Sequence, residues 1–260
     1  MWLLDQPGVT LARETKKTLF LSQETNALRR AFTSTVIKAA LTGEGAMEEF
    51  KISPRGENRL NKVTSAISMS LDAFVAGANQ SLEKPFGDIP EDLLHHWMFD
   101  EPEKHQAEIN ALTDAGAFIM GSNMFGPKPK RESNDWKGWP QWGDNPPYHA
   151  PVFVLSQKQR DPIAMEGGTT YFFVADGIEA ALSRAKEVAG ERNVAIMGGA
   201  NTINQYLAAG LLDELWLHIV PVTIGSGARL FEGVPAIELE PFEISGTKLV
   251  THIRYRVVKK

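Results

Sequence analysis

"VAIMGGANTINQYLAAGLLDELWLHIVPVTIG", from Val194 to Gly225, reads in one pass as strand, glycine turn, helix and strand. Val194 to Met197 is a short apolar run suited to a buried strand, and Gly198-Gly199 after it allows a tight turn and close approach to a ligand. Ala200, Asn201 and Thr202 open a helix whose apolar positions, Ile203, Tyr206, Leu207 and Leu211, recur at three- and four-residue spacing. The first amides of such a helix have no intrahelical acceptor and face whatever sits above the glycines, so a phosphate or pyrophosphate is the natural guest. A Gly-Gly before a helix is equally the mark of a plain strand-to-helix turn, and the rest of the chain has to decide.

The 260 residues, 43% of them hydrophobic, suffice for one good core but hardly for two domains. A net charge of -5, with no basic run interleaved with aromatics, argues against a nucleic-acid partner. There is no cysteine, which removes disulfides, thiolate nucleophiles and cysteine-ligated metals and leaves any redox chemistry to a bound cofactor. No stretch approaches the ~20 apolar residues of a membrane span, and the start of the chain lacks a secretory layout. A soluble cytoplasmic protein with no membrane partner is expected.

Residues 1–61 mix charge with short apolar patches and show no strand-helix alternation, so they read as a poorly ordered extension, with Met47 as an alternative initiator. From residue 62 to 260 the pattern is α/β. A first strand ends near Met69, and a loop follows over residues 70–77. Helical stretches interrupted near Pro102 lead to a strand from Ala117 to Met120 that closes on Gly121. The segment from Ser122 to Ala150, rich in proline, glycine and tryptophan, reads as a long irregular loop. Two strands, "PVFVLS" and "TTYFFVAD", precede a helix from Gly177 to Ala189. After the glycine-turn unit, alternating Leu249, Thr251, Ile253, Tyr255 and Val257 predict a C-terminal antiparallel hairpin.

This order, with "SLDAFVAG" (70–77), "FIMGSNMF" (118–125), "VFVLS" (152–156) and the run from Ile196 to Phe231, resembles the dihydrofolate reductase-like superfamily. The nearer likeness is to the reductase domain of the bifunctional riboflavin-biosynthesis deaminase-reductase and its stand-alone relatives, over about Lys62 to Val258. The resemblance implies a mixed central sheet flanked by helices in three αβα layers, and an NADPH-dependent reductase acting on a pteridine- or pyrimidine-like heterocycle. It places Gly198 and Gly199 beside the nicotinamide dinucleotide, with Ala200, Asn201 and Thr202 facing its pyrophosphate, and Gly121, Ser122 and Asn123 at a second phosphate turn. Ser156 matches a serine near the adenosine 2'-phosphate, where Lys158 and Arg160 add charge. Two departures stand out. Ser122 occupies the place of a basic residue in folate-reducing members, which leaves NADH open beside NADPH. Ala73-Phe74-Val75-Ala76 replaces the glycine and lysine of the riboflavin-pathway loop, which weighs against the phosphoribosyl-aminopyrimidine as substrate. The zinc deaminase motif of the bifunctional enzyme is absent.

Reduction of a C=N or C=O bond needs a proton at the neighbouring heteroatom, so a carboxylic acid is sought near the first strand. Asp92, in "IPEDLL", resembles the substrate-side aspartate of dihydrofolate reductase, yet an aspartate in a first helical turn also complements the dipole by about 0.3–1 kcal/mol. Asp72, in "SLDAF", is the second candidate for catalysis and substrate binding, or else a turn aspartate bonding its own backbone. Trp97 and Gly225 are placed with Asp72 on the substrate side. Trp136, Trp139 and Trp142 form an aromatic lid over a flat ring, or else cover a sheet edge or a subunit contact. His218 reads as a core histidine in a buried strand, His252 carries no pattern, and no spacing of His, Asp and Glu points to a metal. The exposed edge of the hairpin makes a homodimer the expected assembly. A true riboflavin-pathway reductase, a nucleotide-binding protein without turnover and an interaction protein remain rival readings.

Overall fold

The computed structural model describes residues 61–259. The extension read over 1–61 lies, but for its last residue, outside them. Eleven strands, β1 (Val63–Ser70), β2 (Phe74–Ala76), β3 (Ala117–Gly121), β4 (Pro151–Leu155), β5 (Ile163–Ala164), β6 (Thr170–Val174), β7 (Val194–Gly198), β8 (Glu214–Val220), β9 (Ala228–Arg229), β10 (Glu238–Gly246) and β11 (Thr251–Val258), form two sheets. Among the described residues five α-helices accompany them: α1 (His96–Asp100), α2 (Gln106–Ala111), α3 (Ser122–Phe125), α4 (Gly177–Ala189) and α5 (Ala200–Ala208).

The large sheet runs β10-β11-β8-β1-β7-β3-β4-β6-β5, and β2 pairs with β9 in a small separate ribbon. Six central strands, β8 to β6 in that order, are parallel, so the carboxyl ends of β1, β7, β3, β4 and β6 share one edge of the molecule. The chain visits β3, β4 and β6 in turn and then returns to insert β7 between β1 and β3. That reversal is a topological switch point, where open α/β sheets place their ligands. The C-terminal hairpin joins the same sheet through antiparallel pairing of β11 with β8, and Pro241 is tolerated in β10 because that strand is an edge with a register shift at Pro241/Glu243.

Alternation along the strands sorts the core into layers. Ala117 and Ile119 of β3, Val194 and Ile196 of β7 and Leu215 and Leu217 of β8 point to the face covered by α4 and α5. Phe118 and Met120, Val152 and Val154, and Tyr171 and Phe173 point the other way, into a cluster closed by Phe125, Tyr148, Trp136 and Trp142. This second face is covered by the aromatic segment after β3 instead of by a long helix. The segment expected to be a loop is thus a packed wall, anchored where Trp136 Nε1 donates to Phe125 O (3.0 Å) and Trp139 Nε1 to Met124 O (2.8 Å). Those two carbonyls end α3 and would otherwise lack partners.

A third cluster, Leu94, Trp97, Val220 and Val250, seats the segment around α1 on β8 and β11. Trp97 is 1% exposed, and its ring lies against those of His105, His218 and His252 at 5.4, 4.9 and 4.9 Å. Replacing it by alanine leaves a cavity in this cluster. Trp97→Ala is expected to destabilise the protein by about 3–5 kcal/mol, read as a lowered urea midpoint; a midpoint within error of the parent would show that the cluster is not packed this way.

Candidate active site

The strand ends at the switch point are built from glycine for two different reasons. Gly121, at the end of β3, sits where a Cβ would run into Thr202 Oγ1, so its lack of a side chain is what lets β3 and the first turn of α5 touch. Gly198 has φ +109, a conformation that favours glycine, and it is joined to Gly199 by a cis peptide bond. A Cβ on Gly199 would meet nothing within 4 Å, because that position opens onto the cleft above the sheet. The first bonds of α5 run from Thr202 N and Ile203 N to Gly199 O (2.9 and 3.2 Å), which leaves the amides of Ala200 and Asn201 without an intrahelical acceptor. Neither α3 nor α5 has a capping side chain. Two uncapped helix starts therefore meet at adjacent strands.

They open into a cleft of about 960 Å³, near the top of the roughly 300–1,000 Å³ range of small-molecule sites. Gly121, Ser122, Asn123, Ser156, Gly199, Ala200, Asn201 and Thr202 all line it, so eight residues proposed from sequence are brought together. Gly198 lies one residue behind the lining, buried beneath it. At the rim, the Ser156 hydroxyl closes a local turn by donating to Lys158 O and accepting from Lys158 N, and the exposed Lys158 ammonium borders the same cleft. Arg160 does structural work. Its guanidinium stacks on Phe173 at 4.4 Å and donates to the carbonyls of Arg131, Asn134 and Trp136, holding the aromatic wall to β6.

The substrate-side candidates are placed differently. Asp72 does not line the cleft; its carboxylate accepts from the Ser70 hydroxyl (2.5 Å) and the amides of Ile224 (3.1 Å) and Gly225 (2.7 Å). The Ser70 bond above all, with the two amides, holds its pKa below the ordinary carboxylate value against a desolvation that pushes the other way. A carboxylate so placed is a fastener between the loop after β1 and the turn at Gly225, and a poor proton donor. Gly225 is exposed and also outside the lining. Asp92 is exposed beside His96 at 3.7 Å, and Trp97 is interior. Phe86, Glu91, His95, Lys128 and Arg131 also line the cleft, and none of the five is a site candidate from the sequence, where His95 reads as part of a solvated helix face. Burial lowers the pKa of His95, whose ring packs on Phe86 at 5.1 Å. Glu91 and His95 stand four apart in the sequence, a spacing that could have flagged these two.

Two measurements check this geometry. Gly121→Ala should destabilise by about 1–3 kcal/mol through overpacking, and adding Thr202→Ala, which removes the colliding hydroxyl, should restore much of that loss in a thermal or urea series. For Asp72, a lowered folded pKa means stability that is present above about pH 3.8 and lost as pH falls through the folded value. Asp72→Asn should therefore be less stable than the parent at pH 7, with the gap narrowing below pH 4. A gap independent of pH would show that the charge is not what fastens the turn.

Comparison with known proteins agrees with this architecture. The family model of the RibD C-terminal domain matches residues 61–251. A protein of Shewanella sp. PV-4, assigned to riboflavin biosynthesis by its name alone, is 21% identical and superposes with a TM-score of 0.54 over 76% of this chain and 99% of its own. The diaminohydroxyphosphoribosylaminopyrimidine deaminase/5-amino-6-(5-phosphoribosylamino)uracil reductase of Thermotoga maritima is 12% identical, with a TM-score of 0.50 over 76% of this chain and 57% of its own. At these identities the likeness is one of fold. The uncharacterised protein YwjB of Bacillus subtilis (strain 168) is 36% identical over 59 residues, 23% of this chain, so the match spans about a third (33%) of that relative's length. With most of its length matched by the family, and with the sheet order and glycine turns described above, the chain belongs to the RibD C-terminal domain family.

Proposed function

We propose that this chain is a nicotinamide-dependent reductase that holds NADPH across its two glycine turns and reduces a pyrimidine- or pteridine-like heterocycle. The observation that carries the reading is the meeting of Gly121 and Gly198-Gly199 at neighbouring strand ends under one cleft, each followed by a helix start with free amides. Such amides suit a pyrophosphate, and the open space at Gly199 allows the close approach that a dinucleotide needs. Ser122 and Asn123 stand at the second phosphate turn. Lys158, beside Ser156, gives a 2'-phosphate its cation, which favours NADPH over NADH although Ser122 is not basic.

Bound there, the dinucleotide supplies the hydride. The chain's own residues bind the heterocycle at the end lined by Phe86, Glu91 and His95, and Trp139 and Trp142 wall the same cleft against water. Glu91 and His95 handle the proton at the reduced bond, whereas Asp72 acts by positioning the turn at Gly225 and Asp92 stays in solvent. The phosphoribosyl-aminopyrimidine of riboflavin biosynthesis is the first substrate to test, because the family shares its fold with that reductase. The same reading pairs the edge strand β10 in a cytoplasmic homodimer.

Titration of the purified protein with NADPH and NADH, followed by tryptophan fluorescence and thermal shift, tests this directly. NADPH at a hundred times its dissociation constant should add about 2.7 kcal/mol of stability. Gly199→Ala should leave the unliganded melting temperature nearly unchanged while weakening NADPH at least tenfold, and Lys158→Ala should narrow the preference for NADPH over NADH. Absence of saturable binding by either nucleotide would sink the reductase reading in favour of an interaction protein.

A further inference from the structure

Away from the cleft, the fold gathers a group that the proposed reduction leaves idle. His105 precedes α2, Glu108 lies one turn on along that helix, and His252 of β11 stands opposite His218 of β8 in the sheet register. His105 and His252 are 1% and 4% exposed. His252 Nε2 lies 2.9 Å from His105 Nδ1, and one ligand atom from each of His105, Glu108 and His252 falls within 4.8 Å of the other two.

We propose that His105, Glu108 and His252 form a binding site for a divalent transition-metal ion of the zinc class, which joins α2 to the C-terminal hairpin. Two imidazoles and one carboxylate with a position left open is a donor set that such ions accept. Bonds of about 2.0–2.1 Å in tetrahedral geometry put ligand atoms roughly 3.3–3.4 Å apart. The imidazole pair therefore opens by a few tenths of an ångström, and the half-buried Glu108 side chain swings in to complete the set.

The surroundings supply each ligand with the outer partner that metal sites use to orient their donors. With the ion on His252 Nε2, the proton of that ring sits on Nδ1 and is donated to His218 Nδ1, 2.7 Å away. With the ion on His105 Nδ1, the Nε2 proton points to Thr247 Oγ1 at 3.4 Å. Ser245 donates to Glu108 Oε1 at 3.2 Å. A proton wire to the cleft is the competing use of such a chain, but among the described residues His218 Nε2 is buried without a partner, so the row of imidazoles ends there. The ion would brace the segment that also carries Glu91 and His95, and binding is measurable whether or not the chain is a reductase.

The test uses full-length protein stripped with chelator, then titrated with Zn2+ by calorimetry and thermal shift. One equivalent per chain and a rise of several degrees in melting temperature are expected. Co2+ should give a visible absorption band of the same stoichiometry. Glu108→Gln, which retains the bond from Ser245, and His105→Asn should each weaken Zn2+ at least tenfold. His96→Asn, which removes the exposed imidazole between Asp92 and Asp100, should leave binding unchanged. No binding by the parent, undiminished binding in the Glu108 and His105 variants, or loss of binding in the His96 variant would each overturn the site.

Discussion

The contact between Gly121 and Thr202 is the constraint on which the candidate site depends. Because β7 inserts between β1 and β3, the turns after β3 and β7 must share one small volume at the sheet edge, and only a residue without a side chain at the end of β3 admits the Thr202 hydroxyl. Once the two turns touch, the starts of α3 and α5 point their free amides into the same space, and a cleft for an anionic ligand follows from geometry. Neither turn alone would amount to more than a strand-to-helix connection.

Everything around that contact is arranged to keep the cleft open on one side and walled on the other. The aromatic segment after β3 has almost no regular structure, yet two indoles satisfy the carbonyls that end α3, and the Arg160 guanidinium gathers three more carbonyls while stacking on Phe173. Polar side chains thereby replace the hydrogen bonds that a helix would have made, which is how an irregular stretch can bury its backbone. On the opposite side Asp72 reaches across 153 positions to the Gly225 amide, and Asn204 of α5 holds both Arg229 O (3.1 Å) and Phe231 N (2.8 Å). These bonds fix the loop after β1 and the stretch after β8 as one unit, so Asp72, which looks chemical in the sequence, serves the architecture.

The histidine group shows the same logic in the core. Trp97 packs the α1 segment onto β8 and β11, and three imidazoles surround it in a layer where apolar side chains are the rule. Burial drives the pKa of His252 down to about 4 and that of His218 lower than its ordinary value, so both rings are neutral and act as hydrogen-bonding or ligating groups at neutral pH. Such a layer costs more to bury than leucine would, and a bound ion is a physical reason to keep it.

Residues close together in the chain were readable from it. The run from Val194 to Gly225 specified strand, turn, helix and strand because period, glycine placement and helix start are local properties, and the helix Gly177–Ala189 was legible for the same reason. The short ribbon of β2 with β9 was not, since strands of three and two residues carry no period to detect. Asp72, Asp92, Glu91 and His95 differ little as letters; which of them reaches the cleft depends on where the turn before α1 meets the sheet, a matter of packing between distant segments. His105 and Glu108 show a helical spacing, but His252 lies 147 residues beyond His105 and joins them only because β11 pairs with β8. By itself the sequence determined the α/β alternation and the glycine turns, because these follow from local periodicity and backbone freedom. Tertiary structure alone decided which side chains share a site, because that depends on the order in which strands lie side by side.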